Sequence, residues 1–266
     1  MVPTGPAHRE TSLEKKLRYL RRHARVLTGN RIVGDYLVDE ASAKFYLIEG
    51  RHKSDSALNV ALFRLFHDSV QELGAYDKGR ALLLLHTIEE FQLDEIAIIL
   101  RMDIEEVQGD YELARSNASN LDSAKILLIE DEAIVAMDMT QLITDLGHEV
   151  TGVAMTSAQA VAIAQAAPPD LVIADIELAD GSSGVEAVKE IASLLHDVPA
   201  IYTTGYSDKL LTGRDDEPIF LLLKPIRDSQ IESAILQALD VARKFPDRWH
   251  QSIAGLERFW PPKIPG

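Results

Sequence analysis

Asp175 ends the run Leu171-Val172-Ile173-Ala174-Asp175, and the turn-rich segment Ala179-Asp180-Gly181-Ser182-Ser183-Gly184 comes just after it. A short apolar run bounded by turn residues reads as a strand buried on both faces, as in parallel sheets. Three further runs end in polar groups. Ile126 to Ile129 leads into Glu130-Asp131-Glu132, Ala200 to Thr203 into Thr204-Gly205, and Phe220 to Leu223 into Lys224-Pro225. Parallel sheets bind ligands at the carboxyl ends of their strands. If these strands are neighbours, one crevice holds Glu130, Asp131, Asp175, Thr204 and Lys224. Three carboxylates repel one another unless a cation joins them, and oxygen-only ligands suit Mg²⁺. Asp175 is then placed as a nucleophile toward a phosphoryl group. The metal and Lys224 would neutralise the transferred charge, and Thr204 would donate to a phosphate oxygen. Taken singly, an acidic pair after a strand is a first-turn charge, and Lys-Pro is a loop. The ordered set at four strand ends carries the chemical reading.

That set resembles the receiver domain of two-component response regulators. The resemblance implies that Asp175 is the phosphoacceptor, Thr204 the switch hydroxyl and Lys224 the phosphate-binding lysine. It also implies a site for Mg²⁺ (or Mn²⁺) made by Glu130, Asp131, Asp175 and the backbone carbonyl of Glu177. It covers about half the chain. One departure stands out: an aromatic switch residue is common three positions before the lysine, and Leu221 stands there. Phe220 is adjacent, and Tyr202 and Tyr206 flank the Thr204 loop.

The pattern also gives the elements needed to hold these residues. A strand is expected at Glu149 to Val153. Helices are expected at Ala133 to Leu146, from Ser157 up to Pro168-Pro169, at Gly184 to Leu195 and at Asp228 to Lys244. Alternating strands and helices make an α/β doubly wound, flavodoxin-like sheet of five parallel strands, placed at 123–244.

Before Lys125 no strand-like alternation occurs, so an all-helical region is expected over 11–115, after a disordered 1–10. It divides into a first helical module, 11–75, and a helix-turn-helix-like module, 78–115. Leu13, Leu17, Leu20, Ala24 and Leu27 give the first helix one apolar face, capped by Ser12 and stopped at Thr28-Gly29. Its other residues include Lys15, Lys16, Arg18, Arg21, Arg22 and Arg25. That array reads as a solvated face, or as a docking surface for an acidic partner or for the acidic half of the same chain. Asn30 can cap a second helix. A third runs from about Ser56 to Leu73, and a fourth from Arg80 to Phe91. Then come Leu93 to Leu100, a break at Arg101-Met102-Asp103, and a helix from Ile104 to Arg115 with Ile104, Val107 and Tyr111 inward. Asp103 with Glu106 has capping-box spacing. Residues 116–122 read as a linker. The tail, 245–266, contains Trp249, Trp260 and Phe259, aromatics suited to strapping it onto a domain surface.

The helix-turn-helix proportions suggest DNA binding, but the second helix reads Ile-Glu-Glu-Val-Gln-Gly-Asp-Tyr-Glu. Carboxylates facing phosphates are repelled, and the net charge of −15 opposes nonspecific nucleic-acid binding. The helical half resembles an extracytoplasmic-function sigma factor, through Ala24 to Gly29 with Gly34-Asp35-Tyr36 and through Leu82 to Arg115. A sigma-like module followed by a receiver is the order found in the PhyR family, response regulators of the alphaproteobacterial general stress response. The resemblance implies a regulator rather than an enzyme. A sensor histidine kinase would phosphorylate Asp175, and the released sigma-like half would sequester an anti-sigma factor of the NepR type, freeing the stress sigma factor. It implies no direct DNA binding, no membrane association and a monomer when unphosphorylated. The alternative is a DNA-binding two-component transcription regulator using the helix-turn-helix-like segment. A haloacid-dehalogenase-like phosphatase would need a second Asp where Glu177 stands, and RNA-binding antiterminators carry their helices after the receiver. The chain has no cysteine, which excludes thiol catalysis and cysteine metal sites. Met1 to Glu10 shows no leader pattern and no run spans a bilayer, so a cytoplasmic location is expected.

Overall fold

A computed structural model describes residues 12–48, 55–74, 76–118, 122–195, 198–205 and 220–244. The disorder expected for 1–10, the strap expected of 245–266, the end of the linker and most of the loop after Gly205 lie outside the described residues. The chain divides into two compact units, one built on the helices before Ala118 and one on the sheet with its own helices.

In the first unit, α1 spans Ser12–Thr28 and α2 spans Arg31–Ile48. Asn30 joins them as expected, its Oδ1 accepting from the Val33 N–H at 3.1 Å. Gly34 lets the two helices touch backbone to backbone. A Cβ there would lie 2.9 Å from the Ala24 carbonyl carbon and from the Arg25 nitrogen. Helix α3, Asp55–Glu72, buries Leu62, Phe63, Leu65, Phe66 and Val70. Helix α4, Lys78–Leu83, starts at an Asp77 cap whose carboxylate accepts from the Arg80 N–H at 3.0 Å.

The fourth helix is not the uniform one expected over Arg80 to Phe91. After Leu83 it widens into a π-turn, Leu84–Ile88, where the Glu89 N–H donates to the Leu84 carbonyl at 3.0 Å. Leu82, Leu83, Leu84 and Leu85 are all buried. Four successive side chains of a helix spread round most of its circumference, so this segment is packed on every side. The extra residue in the turn rotates the next positions about the helix axis. Glu89 is thereby turned inward.

Helix α5, Leu93–Leu100, and helix α6, Ile104–Ala118, flank a break at Arg101. Arg101 is left-handed (φ 55°), and its guanidinium grips both oxygens of Asp68 at 2.9 and 2.8 Å. The capping carboxylate in this region is that of Glu95, which accepts from the Gln92 N–H at 3.0 Å. Glu106, expected to cap α6, bonds Lys78 at 3.1 Å instead. Within α6, Val107 is buried as expected, but Ile104 is 40 % exposed. The helix also takes in Ser116-Asn117-Ala118, so the first part of the expected linker is helical. Small polar residues at a helix end weaken it without stopping it.

Arg21, Arg22 and Arg25 of the α1 basic array are used within this unit. Arg22 and Arg25 are buried. Arg25 pairs with Asp35 at 2.8 Å and Arg22 with Glu89 at 3.1 Å, while Arg21 reaches Asp39 at 2.9 Å.

The second unit is the expected α/β fold. Strands β1 Lys125–Ile129, β2 Glu149–Ala154, β3 Leu171–Asp175, β4 Ala200–Thr204 and β5 Phe220–Leu223 form one sheet in the order β2-β1-β3-β4-β5. All four pairings are parallel. Helices α7 Ala133–Asp145, α8 Ser157–Ala166, α9 Gly184–Leu195 and α10 Asp228–Lys244 connect or succeed the strands. Every residue of β3 is buried, which accounts for a run with no polar alternation. No helix among the described residues is long and apolar enough to cross a membrane.

Candidate functional site

The sheet brings the ends of β1, β3, β4 and β5 to one edge. Register places Asp175 beside Thr203 and Thr204 beside Leu223, so Glu130, Asp175, Thr204 and Lys224 succeed one another across it. One oxygen each from Glu130, Asp131 and Asp175 fall within 4.8 Å of one another. Lys224 Nζ lies 2.6 Å from Asp175 Oδ2 and 2.9 Å from Glu130 Oε2.

The cluster is anchored by backbone groups. Glu130 and Asp175 are buried. Glu130 Oε1 accepts from the Glu132 N–H at 3.2 Å, and Asp175 Oδ1 from the Glu177 N–H at 3.2 Å. Asp131 Oδ2 accepts from the Ala179 N–H at 2.9 Å, tying the β1–α7 turn to the β3–α9 loop. The Lys224 N–H donates to the Thr204 carbonyl at 2.8 Å, which fixes the ammonium-bearing residue beside β4. The Lys224–Pro225 peptide bond is cis. Thr204 itself is buried at the end of β4. Leu221, at the position where an aromatic is common, is a buried core residue, and Phe220 is buried next to it. Tyr202 is half-buried, which pushes its hydroxyl up to about 12.

Electrostatics leave the site short of positive charge. Burial raises the Glu130 carboxyl above its ordinary value, partly offset by the hydrogen bond and charge of Lys224. Burial alone would lower the Lys224 ammonium, but hydrogen bonds to Asp175 and Glu130 raise it. Among the described residues, the Lys224 ammonium pairs with Glu130 and Asp175, two of the three clustered carboxylates, and all three offer oxygen donors. A hard divalent cation fits that set.

Two contributors had no signal in the sequence. The Ala179 N–H acts through the backbone alone. Gly184 presses on β3: a Cβ there would run into the Asp175 carbonyl oxygen and lie 2.9 Å from its carbon. Its neighbours are backbone, which cannot swing aside. Gly184→Ala should therefore destabilise the second unit by about 3 kcal/mol, the upper end for overpacking, read as a lowered urea midpoint. A midpoint within error of wild type would show that the β3–α9 loop yields freely.

Residues 126–236 match the response regulator receiver domain, and residues 13–67 match the Sigma2 domain of PhyR. The phyllosphere-induced regulator PhyR of Methylorubrum extorquens is 37 % identical over 247 residues, 84 % of this chain and 91 % of that protein. The crystal structure of the response regulator PhyR from Brucella abortus superimposes with a TM-score of 0.79 at 34 % identity, covering 91 % of this chain and 100 % of the other. The anti-anti-sigma factor PhyR from Bartonella quintana gives 0.79 at 32 % identity, covering 89 % and 97 %. Two matched domains in that order, and likeness along nearly the whole length of these proteins, place the chain in the PhyR family of response regulators.

Proposed function

We propose that this protein is a phosphorylation-gated anti-anti-sigma factor, with Asp175 as its phosphoacceptor. One observation carries the reading: Lys224 bridges Asp175 and Glu130 at a parallel-sheet edge, on a chain whose other unit matches a sigma-type domain. The phosphodonor is the phosphohistidine of a sensor histidine kinase, or acetyl phosphate. An Asp175 carboxylate oxygen attacks phosphorus, and the bond from phosphorus to the donor nitrogen or oxygen breaks, its electron pair leaving with the donor. Lys224 then shares its protons with a phosphoryl oxygen, and the Thr204 hydroxyl donates to another. Glu130, Asp131, Asp175 and the Glu177 carbonyl would hold Mg²⁺ or Mn²⁺, which when bound neutralises charge on the phosphoryl oxygens.

Phosphorylation adds about two negative charges and three acceptor oxygens. To serve as a gate, it must shift the open and closed states of the chain by a few kcal/mol. The open state would offer the sigma-like unit to a NepR-type anti-sigma factor. Direct DNA binding is disfavoured because Glu105, Glu106 and Glu112 of α6 are exposed where a recognition helix would face phosphates. Titration of the full chain with a NepR-type protein tests the reading. Acetyl phosphate with Mg²⁺ should tighten binding at least tenfold. Equal affinity with and without donor would sink the gate, and no binding in either condition would sink the sigma-mimic.

A further inference from the structure

The helical unit contains buried ionisable groups that phosphoryl chemistry does not use, and they meet at one place. His23 of α1 and His67 of α3 are buried, with their Nε2 atoms 3.0 Å apart. Two neutral imidazoles in this arrangement share one proton, one nitrogen donating and the other accepting. His67 Nδ1 lies 3.4 Å from the Tyr76 hydroxyl. His23 Nδ1 has no hydrogen-bond partner among the described residues and stands 3.9 Å from Glu89 Oε1. Phe63 and Phe66 close the sides of the His23 ring with edge-on contacts, centroids 5.1 and 5.7 Å away.

A second proton has no place in this geometry. Added at the accepting Nε2, it turns two donors toward each other across a bond-length gap. Added at His23 Nδ1, it faces only Glu89 Oε1, 3.9 Å away and beyond hydrogen-bond reach, on a carboxylate already held by Arg22. Charged groups on α1, α2 and α4 are engaged elsewhere. Arg25 and Asp35 hold each other, Lys44 of α2 bonds Ser69, and Arg80 of α4 donates to the Leu27 carbonyl. Of the facing groups, Arg22 opposes a new positive charge, Tyr76 is neutral, and Glu89 is already paired.

We propose that the His23–His67 pair is an acid-sensitive joint, at which α1 and α3 part when the solution turns mildly acidic. Burial lowers both imidazoles, His67 to about 3 and His23 well below its ordinary 6.5, with His67 and Arg22 adding to the lowering for His23. Linkage sets the sign. A histidine held neutral in the closed form protonates in the open form near pH 6.5, so closure is fully stable above that value. It weakens as pH falls toward the folded values. Each histidine raises the opening equilibrium roughly tenfold or more between pH 6.5 and 5. Glu89, raised by burial, acts in the opposite sense and reduces the total. If the unit binds an anti-sigma factor as proposed above, acid would weaken that binding, but the joint itself does not depend on that reading.

Hydrogen exchange of the full chain, tracked by mass spectrometry and corrected for intrinsic rates, tests the joint. Wild-type peptides from α1 and α3 should lose protection at least tenfold between pH 7 and pH 5. His67→Gln, which cannot take up a proton, should roughly halve the slope of log protection against pH, whatever it does to protection at pH 7. His23→Gln serves the same purpose if the first variant fails to fold. Flat wild-type protection over that range would overturn the proposal. So would an unchanged slope in the folded glutamine variant.

Discussion

Asp175→Ala should take up no phosphoryl group from acetyl phosphate, a loss of more than 100-fold, read by phosphate-affinity electrophoresis or intact mass. Its binding to a NepR-type protein should stay at the donor-free level. The expectation rests on position. Glu130 and Asp131 also present carboxylate oxygens within 4.8 Å, so a site acting through bulk acidity would phosphorylate a neighbour instead. Asp175 differs in ending the sheet's central, fully buried strand, with its Oδ2 2.6 Å from Lys224 Nζ against 2.9 Å for Glu130 Oε2. Lys224→Met should keep the nucleophile but slow incorporation on the order of 100-fold, the scale for losing one preorganised donor to a developing charge. Residual phosphorylation of Asp175→Ala near the wild-type rate would move the acceptor to another residue.

Removing Glu89 should unfold or nearly unfold the helical unit. Arg22 and Glu89 pair at 3.1 Å with both side chains nearly excluded from water. Burial, with Glu90 adding to it, costs Glu89 more than Arg22 returns, as its raised carboxyl shows. Such a pair adds little net stability, but breaking it leaves one charge stranded, typically at 3–5 kcal/mol. Glu89→Ala is therefore expected to lower stability by about 4 kcal/mol. The double variant Arg22→Met, Glu89→Leu should recover most of that loss, because neither charge of the pair remains inside. Urea titration with hydrogen-exchange readout on α1 separates the outcomes. A double variant as unstable as the single one would place the cost in packing.

The receiver unit was legible because its signals are local. Each site residue stands directly after an apolar run, so finding the strand found the residue, and α9 begins and ends at Gly184 and Leu195 as read from the pattern. The helical unit was legible in element type and much less so in contacts. Arg22 and Glu89 are 67 positions apart, and His23 and His67 are 44 apart. No periodicity announces such partners. The basic array of the first helix looked like surface, yet two of its arginines are internal, and so is the Glu89 side chain that one of them meets. The π-turn was hidden for a related reason. Four consecutive leucines fit a regular helix and a widened one equally well, and packing on all sides decides between them. The end of α6 at Ala118 likewise depended on context, since Ser, Asn and Ala tolerate helix and linker alike.

The sheet order β2-β1-β3-β4-β5 bears on what happens during synthesis. Every strand pairs in parallel across an intervening segment, the slow kind of topology, whereas α1, α2 and α3 pack on their sequence neighbours, the fast kind. The helices also leave the ribosome first. Translation from Ala118 to the end of α10 at Lys244, about 125 residues at roughly 5–20 residues per second, takes on the order of 10–25 s. A helical unit that folds as it emerges would spend that interval without the sheet that would gate it. Each newly made molecule would then pass once through an ungated state, at a level set by the rate of expression rather than by any phosphodonor.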